Sequence, residues 1–453
     1  MRLTLDEIAA AAAGRVLQPG PTVTGVGTDS RTIRPGDLFV ALCLGERDGH
    51  LFVPDAAQQG AAGALVSRVP DAAPTGFGVV VVPDTLLALG RLGSTRRGAA
   101  TARVLAITGS VGKTSAKGML GAILERLGPT VTARASYNNE IGVPLTLLEL
   151  EPEHRFCVLE LATRNPGDIA YLAGLARPEV GVVTGIGTSH LVRFGTREAI
   201  ARAKGELLER LPPHGAAVLP QDEDFRDLLT GLAPCRVTTF GRTPEADVWA
   251  AVGQSGELRG LAVTLHAGGE SQDLRLRVPG SHNALNAAAA AAAALAVGAD
   301  LQGAAEGLAA FDGVEMRCRI VPGVRGTTVI DDAYNAAPDS VRAALELLAT
   351  APGRRLFVFG DMLELGEAGP AAHEAVGELA AELGVARLYA LGELAERSVE
   401  AAGKLGVPGE HFGSGDDLLA ALLADLRAGD MILVKGSRAM HLERIVRGIV
   451  SRE

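Results

Sequence analysis

Val104-Leu-Ala-Ile-Thr-Gly-Ser-Val-Gly-Lys-Thr-Ser115 is an apolar run, a loop holding two glycines, and a Lys-Thr pair that opens a helical pattern reaching Leu127. The run reads as a buried strand, so the stretch is strand, tight loop and helix in that order. Gly109 and Gly112 allow the backbone N–H groups to turn inward around phosphate oxygens, with Ser110 between them. Lys113 then reaches the β- and γ-phosphates, the hydroxyl of Thr114 suits Mg²⁺, and Ser115 continues the helix start. The helix N-terminus adds a favourable dipole. The longer form of the motif needs a glycine where Ile107 stands, so the match is to the shorter Gly-x-x-Gly-Lys-Thr. A surface turn before a helix is the alternative for this stretch alone.

Outward from the loop, Phe156–Leu161, Val180–Thr184 and Ala216–Leu219 are further strand candidates. Strands alternating with helical patterns predict a mostly parallel sheet with helices on both faces. Beyond Glu315, Val329-Ile-Asp-Asp332, Arg355–Gly360 and Met431–Lys435 are strands, and Ser340–Ala349 and Ala371–Leu383 are helices. That order predicts a doubly wound, Rossmann-like α/β unit with ligands at the carboxyl ends of its strands. Before residue 98, a helix near Leu3–Gly14 and strands at Asp37–Leu42, Gly63–Val66 and Val79–Val82 predict a small α/β unit. The basic stretch Ser94-Thr-Arg-Arg-Gly-Ala-Ala100 reads as a linker. The expected division is therefore 1–98, 99–314 and 315–453, an α/β protein of three domains with the phosphate loop in the central one.

Composition excludes several classes. The 453 residues are 47% hydrophobic and 21% charged, the balance of a globular chain. Aromatic residues are only 4%, so the cores must be built from Ala, Val, Leu and Ile. A net charge of −10 argues against nucleic acid as a partner. Cys43, Cys157, Cys235 and Cys318 form no CxxC pair, which argues against a zinc site or a disulfide scaffold and fits a reducing, cytoplasmic setting. As small hydrophobes they are expected to be buried. Asp6 and Glu7 interrupt any secretory signal, and the longest apolar run, Ala287–Val297, is too short to span a bilayer and reads as a buried helix.

Several motifs in order carry a resemblance. Besides Thr108–Thr114, they are Tyr137-Asn-Asn-Glu-Ile-Gly-Val-Pro-Leu-Thr146, Gly280-Ser-His-Asn-Ala-Leu-Asn286, Asp331-Asp-Ala-Tyr-Asn-Ala-Ala-Pro-Asp-Ser340, Gly360-Asp-Met-Leu-Glu-Leu-Gly366 and Lys435-Gly-Ser-Arg438. Together they resemble the Mur ligase family over nearly the whole chain, and within it the branch that adds D-alanyl-D-alanine. The resemblance implies an ATP-dependent amide ligase joining D-alanyl-D-alanine to a UDP-N-acetylmuramoyl tripeptide, with Mg²⁺ and an acyl phosphate intermediate. A sister ligase adding the third amino acid, a folylpolyglutamate synthase and a nucleotide-binding regulatory protein are the rivals. Thr28–Leu42 argues against the synthase, and Gly360–Gly366 against the sister ligase.

The same resemblance implies residue roles. Glu160 and His190 match Mg²⁺ ligands; an acidic strand end beside a phosphate loop suits that role, whereas His190 alone is equally an ordinary loop histidine. Lys204, in Ala201-Arg-Ala-Lys-Gly-Glu206, matches a lysine carbamylated by CO₂, whose carbamate supplies anionic oxygens to the metal site. Asn283 and Asn286 are implied to contact adenine. Arg317 and Asp332 are implied to approach the phosphates and ribose, once the third domain closes over the second. Ser30 and Arg31 fall in the segment implied to bind the UDP sugar, and Asn138 and Asn139 in a substrate-contacting one. The chain is expected to be monomeric. It departs from the family pattern at Thr163-Arg-Asn165, at Ser115-Ala116 and at Thr188-Ser189.

Overall fold

The structure, a computed structural model, describes residues 2–69, 74–188, 191–253, 258 and 260–450. Three main sheets succeed one another along the chain. The first has the order Arg15–Gln18, Gly78–Val81, Gly63–Val66, Asp37–Val40, Gly25–Gly27, parallel except for the Arg15–Gln18 edge. The helix expected before it spans Leu5–Ala12, because Thr4 and Glu7 close a capping box at one end and Ala13 turns left-handed at the other.

The central sheet has nine strands: Glu270–Leu276, Leu261–Ala267, Val248–Val252, Arg236–Gly241, Ala216–Pro220, Val180–Val183, Arg103–Thr108, Phe156–Glu160 and Thr130–Thr132 in spatial order. All pair in parallel except Leu261–Ala267 and Glu270–Leu276, which extend one edge as antiparallel strands. That edge, together with Arg236–Gly241, Val248–Val252 and Thr130–Thr132, is the part of the sheet the strand reading above lacks. Its Leu261–Ala267 strand alternates buried and half-buried residues, as a one-sided strand does. Arg103–Thr108 lies between Val180–Val183 and Phe156–Glu160, with Ile107 level with Glu160 and Thr108 level with Val183. The carboxyl ends of three neighbouring strands thus meet at one crevice, which is where an open α/β sheet binds its ligands.

The third sheet runs Arg319–Pro322, Thr328–Asp332, Met431–Lys435, Arg355–Gly360, Arg387–Leu391, Gly409–Phe412, parallel but for its first strand. Among the described residues, no helix is long and apolar enough to cross a membrane.

Ser94–Ala100 differs from the expected linker. Residues 94–99 are the last turns of the helix Thr85–Ala99, which Asp84 caps through Leu86 N and Leu87 N. Two of its arginines are half-buried and partnered: Arg97 Nε donates to the Ala176 carbonyl at 2.8 Å, and Arg96 pairs with Glu151 at 2.9 Å. The basic residues fasten the first unit to the second, where composition alone suggests flexibility.

The alanine run forms the helix His282–Leu295, buried on every side from Ala287 to Ala294. Methyl side chains let it lie close both to the helix Lys113–Leu127 and to the strands of the central sheet. The helix Leu301–Ala310 approaches equally closely, for a Cβ at Gly307 would stand 2.5 Å from Ile123 Cα. Such packing has no room for longer side chains. Ala291→Leu should therefore lower stability by about 1–3 kcal/mol, read as a fall in melting temperature, and an unchanged melting temperature would mean that this layer is looser than described.

Candidate functional site

The loop at residues 109–112 is shaped by what touches its glycines. A Cβ on Gly109 would collide with Thr184, and one on Gly112, where φ is +80°, with the Asn286 carboxamide oxygen. Ser110 N donates to Gly185 O at 2.8 Å, and the Thr184 hydroxyl reaches the carbonyls of Thr108 and Val111. The neighbouring strand end thus clamps the loop. Lys113 Nζ donates back to Gly109 O at 2.7 Å, the stance of a lysine folded over an anion-binding turn. Thr114 is buried at the helix start, and Ser115 is half-buried beside it.

Next to the loop stands Glu160, 2% exposed at the end of its strand. Asn138 Nδ2 donates to its Oε1 at 2.8 Å, whereas Oε2 has no hydrogen-bond partner among the described residues. An orphaned oxygen on a buried carboxylate fits an incoming cation. Lys117, one helical turn beyond Lys113, lies 3.8 Å from that oxygen. Lys204 is 3% exposed and has no hydrogen-bond partner among the described residues. Its surroundings hold the amine well below the ordinary lysine value, chiefly by burial and then by the charge of Lys113. Burial also lowers Lys113 and Lys117; Glu160 opposes the shift in both, and Arg317 adds to it. Lys113 and Lys117 thus share the field of Glu160, Arg317 acts on both, and Lys204 neighbours Lys113. By the chemistry of their side chains Glu160 and Thr114 could hold a divalent metal, and Lys204 would require modification to do so. His190 lies outside the described residues.

The third sheet brings Arg317 to the same place. Its guanidinium stacks on Tyr334 at 4.1 Å, and its Nε is buried without a partner. Met316 and Cys318, on either side, are both left-handed, so this turn is held by its surroundings. Asp332 accepts from Cys318 N at 3.2 Å and forms a buried ion pair with Lys435, which also donates to Asn335 O. His282 lies near this pair, and burial lowers its imidazole below the ordinary histidine value, with Asp332 opposing the shift and Lys435 adding to it. Asn283 donates to Pro279 O at 2.7 Å and accepts from Asn286 at 3.0 Å. Asn283 is thus occupied by the helix start, and Asn286 is the member of the pair that faces the cavity.

Two cavities meet at the loop. One, of about 250 Å³, is lined by Ser110–Ser115, Asn286, Arg317 and Asp332 among others. The second, of about 610 Å³, is lined by Asn138, Asn139, Thr163–Asn165, Tyr334 and Arg438 among others. Ser110, Lys113, Asn335 and Ala337 belong to both.

The remaining site candidates are placed differently. Asn139 turns its side-chain oxygen onto Ile141 N and Gly142 N, ordering the next helix start. Ser30 and Arg31 lie in the first unit and line neither cavity; the Arg31 side chain is 85% exposed and paired with Asp29 at 2.6 Å. In the departing segment, Arg164 N and Asn165 N both donate to Asp168 at 2.8 Å. The Arg164 side chain has no ion-pair partner among the described residues.

Cysteine burial holds for Cys157 and Cys318, but Cys43 is exposed and Cys235 half-buried. Cys43 sits 3.4 Å from His50 Nδ1, with Asp48 2.8 Å from the same nitrogen. Ser67 N donates to His50 Nε2, which places the proton on Nδ1, so a metal bound there would need an imidazolate. The cluster is a hydrogen-bonded clasp. Sequence reasoning assigned no role to Lys117, Thr184, Tyr334 or Lys435; for Lys117 the signal is its spacing of four from Lys113, which puts both on one helix face.

A phosphate loop opening on one side to a nucleotide-sized space and on the other to a larger polar one defines a nucleotide-using enzyme that works on a second bound substrate. The chain belongs to the Mur ligase family. Residues 22–95 match the Mur ligase family catalytic domain, 107–294 the Mur ligase middle domain, and 316–438 the Mur ligase glutamate ligase domain. It is 37% identical over 451 residues to the UDP-N-acetylmuramoyl-tripeptide--D-alanyl-D-alanine ligase of Escherichia coli K12, covering 99% of this chain and 98% of that one. To the ligase of the same name from Mycobacterium tuberculosis CDC 1551 it is 38% identical, covering 100% and 98%. Among solved structures, MurF from Acinetobacter baumannii superposes with a TM-score of 0.89 at 35% identity over 99% and 98% of the two chains. MurF from Thermotoga maritima in complex with ADP gives 0.79 at 26% identity over 94% and 97%.

Lys113→Ala should abolish turnover, by about 10³-fold or more, while changing stability by less than about 1 kcal/mol. A folded variant with near-normal turnover would move the nucleotide elsewhere.

Proposed function

We propose that this protein joins D-alanyl-D-alanine to UDP-N-acetylmuramoyl tripeptide, consuming ATP and releasing ADP and phosphate. The observation that carries the reading is Lys113 on the wall common to both cavities. ATP occupies the smaller cavity with its γ-phosphate at Lys113, and the peptide substrates occupy the larger. The terminal carboxylate of the tripeptide attacks the γ-phosphorus, forming a C–O–P linkage as the bond to ADP breaks. The dipeptide amine then attacks the acyl carbon, phosphate leaves, and the amine proton passes to solvent or a nearby base. Phosphorylation turns a poor leaving group into a good one, and the chain's own work is alignment and charge neutralisation.

In this reading Lys113 and Arg317 bear on the transferring phosphoryl group. Asn286 lines the nucleotide space, while Asn283 orders Asn286 in place of touching the base. Asp332 is held by Lys435 at the edge of the same space. Mg²⁺, when bound through Thr114, Glu160, His190 and a carbamylated Lys204, supplies positive charge to the phosphate oxygens. Arg164, which lines the larger cavity and has no ion-pair partner among the described residues, suits a substrate carboxylate. Ser30 and Arg31 hold the UDP sugar on the first domain, which requires Arg31 to loosen its pairing with Asp29. The three domains are 1–98, 99–314 and 315–453, the enzyme is a monomer, and it acts in the cytoplasm, where UDP-linked precursors and ATP are both at hand. Closure of the third domain over the second keeps the acyl phosphate from water.

The reading is tested by phosphate release across a panel of UDP-muramoyl peptides, with and without D-alanyl-D-alanine. Release should require both the tripeptide and the dipeptide, and ATP turnover indifferent to the dipeptide would point to a nucleotide-binding protein of another kind.

Lys204 gives a separate expectation. Its neutral amine attacks CO₂, forming an N–C bond with loss of one proton, and the product offers two anionic oxygens in place of an ammonium. With ¹³C-labelled bicarbonate, a carbamate carbon resonance should appear and vanish in Lys204→Ala. Lys204→Arg should be equally inactive, because a guanidinium stays protonated. An unmodified amine in fully active enzyme would rule the carbamate out.

A further inference from the structure

Lys117 is 3% exposed, lines neither of the cavities that meet at the phosphate loop, and touches no substrate in the reading above. It is nonetheless the charged group nearest the orphaned oxygen of Glu160, at 3.8 Å. Its Nζ also donates to the carbonyl of Ala135, a non-glycine residue held left-handed at φ 40°. That turn leads directly to Asn138, which donates to the other oxygen of Glu160. The Asn138 carbonyl in turn accepts from Ala162 N at 2.9 Å, which ties the turn to the segment just beyond Glu160. One buried ammonium thus spans a constrained turn and a carboxylate.

We propose that Lys117 is a positioning residue that competes with the divalent cation for Glu160, keeping the metal site weak until a nucleotide brings its own negative charge. A fixed cation paired with the ligand carboxylate offsets the negative charge that a divalent ion would otherwise meet there, so the ion must displace that pairing to bind. The same cation lends positive potential to arriving phosphates, so metal and nucleotide favour each other's binding. The anchor on Ala135 keeps the ammonium from swinging away, which is why the competition persists. The inference rests on the proposed reading only in placing a divalent cation at Glu160, and its test uses no ligation step, so the two can fail separately.

The test is direct binding of Mn²⁺ to the full chain, followed by the electron paramagnetic resonance signal of the free ion. Without nucleotide, the unaltered chain should bind Mn²⁺ weakly, with a dissociation constant on the order of millimolar, and ATP should tighten it. Lys117→Gln removes the charge but can still donate to Ala135 O, and Lys117→Met removes both. Either should bind Mn²⁺ without nucleotide about tenfold more tightly or better, whereas Lys117→Arg should behave as the unaltered chain. In a Glu160→Gln background, removing Lys117 should change nothing, because the effect passes through the carboxylate. Micromolar binding by the unaltered chain without nucleotide would overturn the proposal. So would neutral variants that fold and bind no more tightly, or tightening that survives Glu160→Gln. A purely structural lysine would lower the melting temperature and leave the affinity of the folded protein where it was.

Discussion

Lys113 and Lys117 share the field of Glu160, with Arg317 acting on both lysines and Lys204 beside Lys113, and the mutual opposition of these basic groups is the constraint on which the site depends. A cluster of this kind is unfavourable unless something fixes it. The fixing comes from the fold: Glu160 and Thr108 end adjacent parallel strands, Lys113 and Lys117 share one helix, Lys204 sits on another, and Arg317 arrives from the third sheet. Packing supplies what the charges oppose, and a triphosphate with its metal completes the balance. The alanine helix behind the loop is part of that rigidity, since its methyl groups allow neighbouring elements no slack.

Much of this was readable from residue order. The strand–loop–helix run, the acidic strand end at Glu160, and the spacing of Asp332 and Lys435 at the ends of two strands in the third unit follow from local patterns and the rule that ligands gather at carboxyl ends of parallel strands. Other features were not. The basic helix end at Ser94–Ala99 looks like a linker until Arg96 and Arg97 find carbonyl and carboxylate partners some 55 and 79 residues away. Asn283 looks like a base-reading amide until Pro279 O and Asn286 occupy it. In each case a long-range or capping hydrogen bond, invisible to a local window, decides what a polar side chain is free to do.

Burial also separates residues that sequence treats alike. Lys113 and Lys117 stand four apart on the same helix, yet one reaches a wall common to two cavities and the other is sealed beneath it. Ser30 and Arg31 are adjacent, yet the serine is buried and the arginine almost wholly in solvent. Spacing identifies the face of an element; only the neighbouring elements say whether that face meets water.

The junction of the two cavities at Ser110, Lys113, Asn335 and Ala337 has a consequence for inhibitor chemistry. A molecule seated in one space can carry a short tether past those shared residues toward the other. The second moiety then binds at an effective concentration set by the tether, not by the bulk solution. A rigid linker matched to the span would gain the most, and one that is too long or too floppy would lose the advantage. Linker geometry, more than the strength of either half, is thus the quantity to optimise in a bisubstrate ligand.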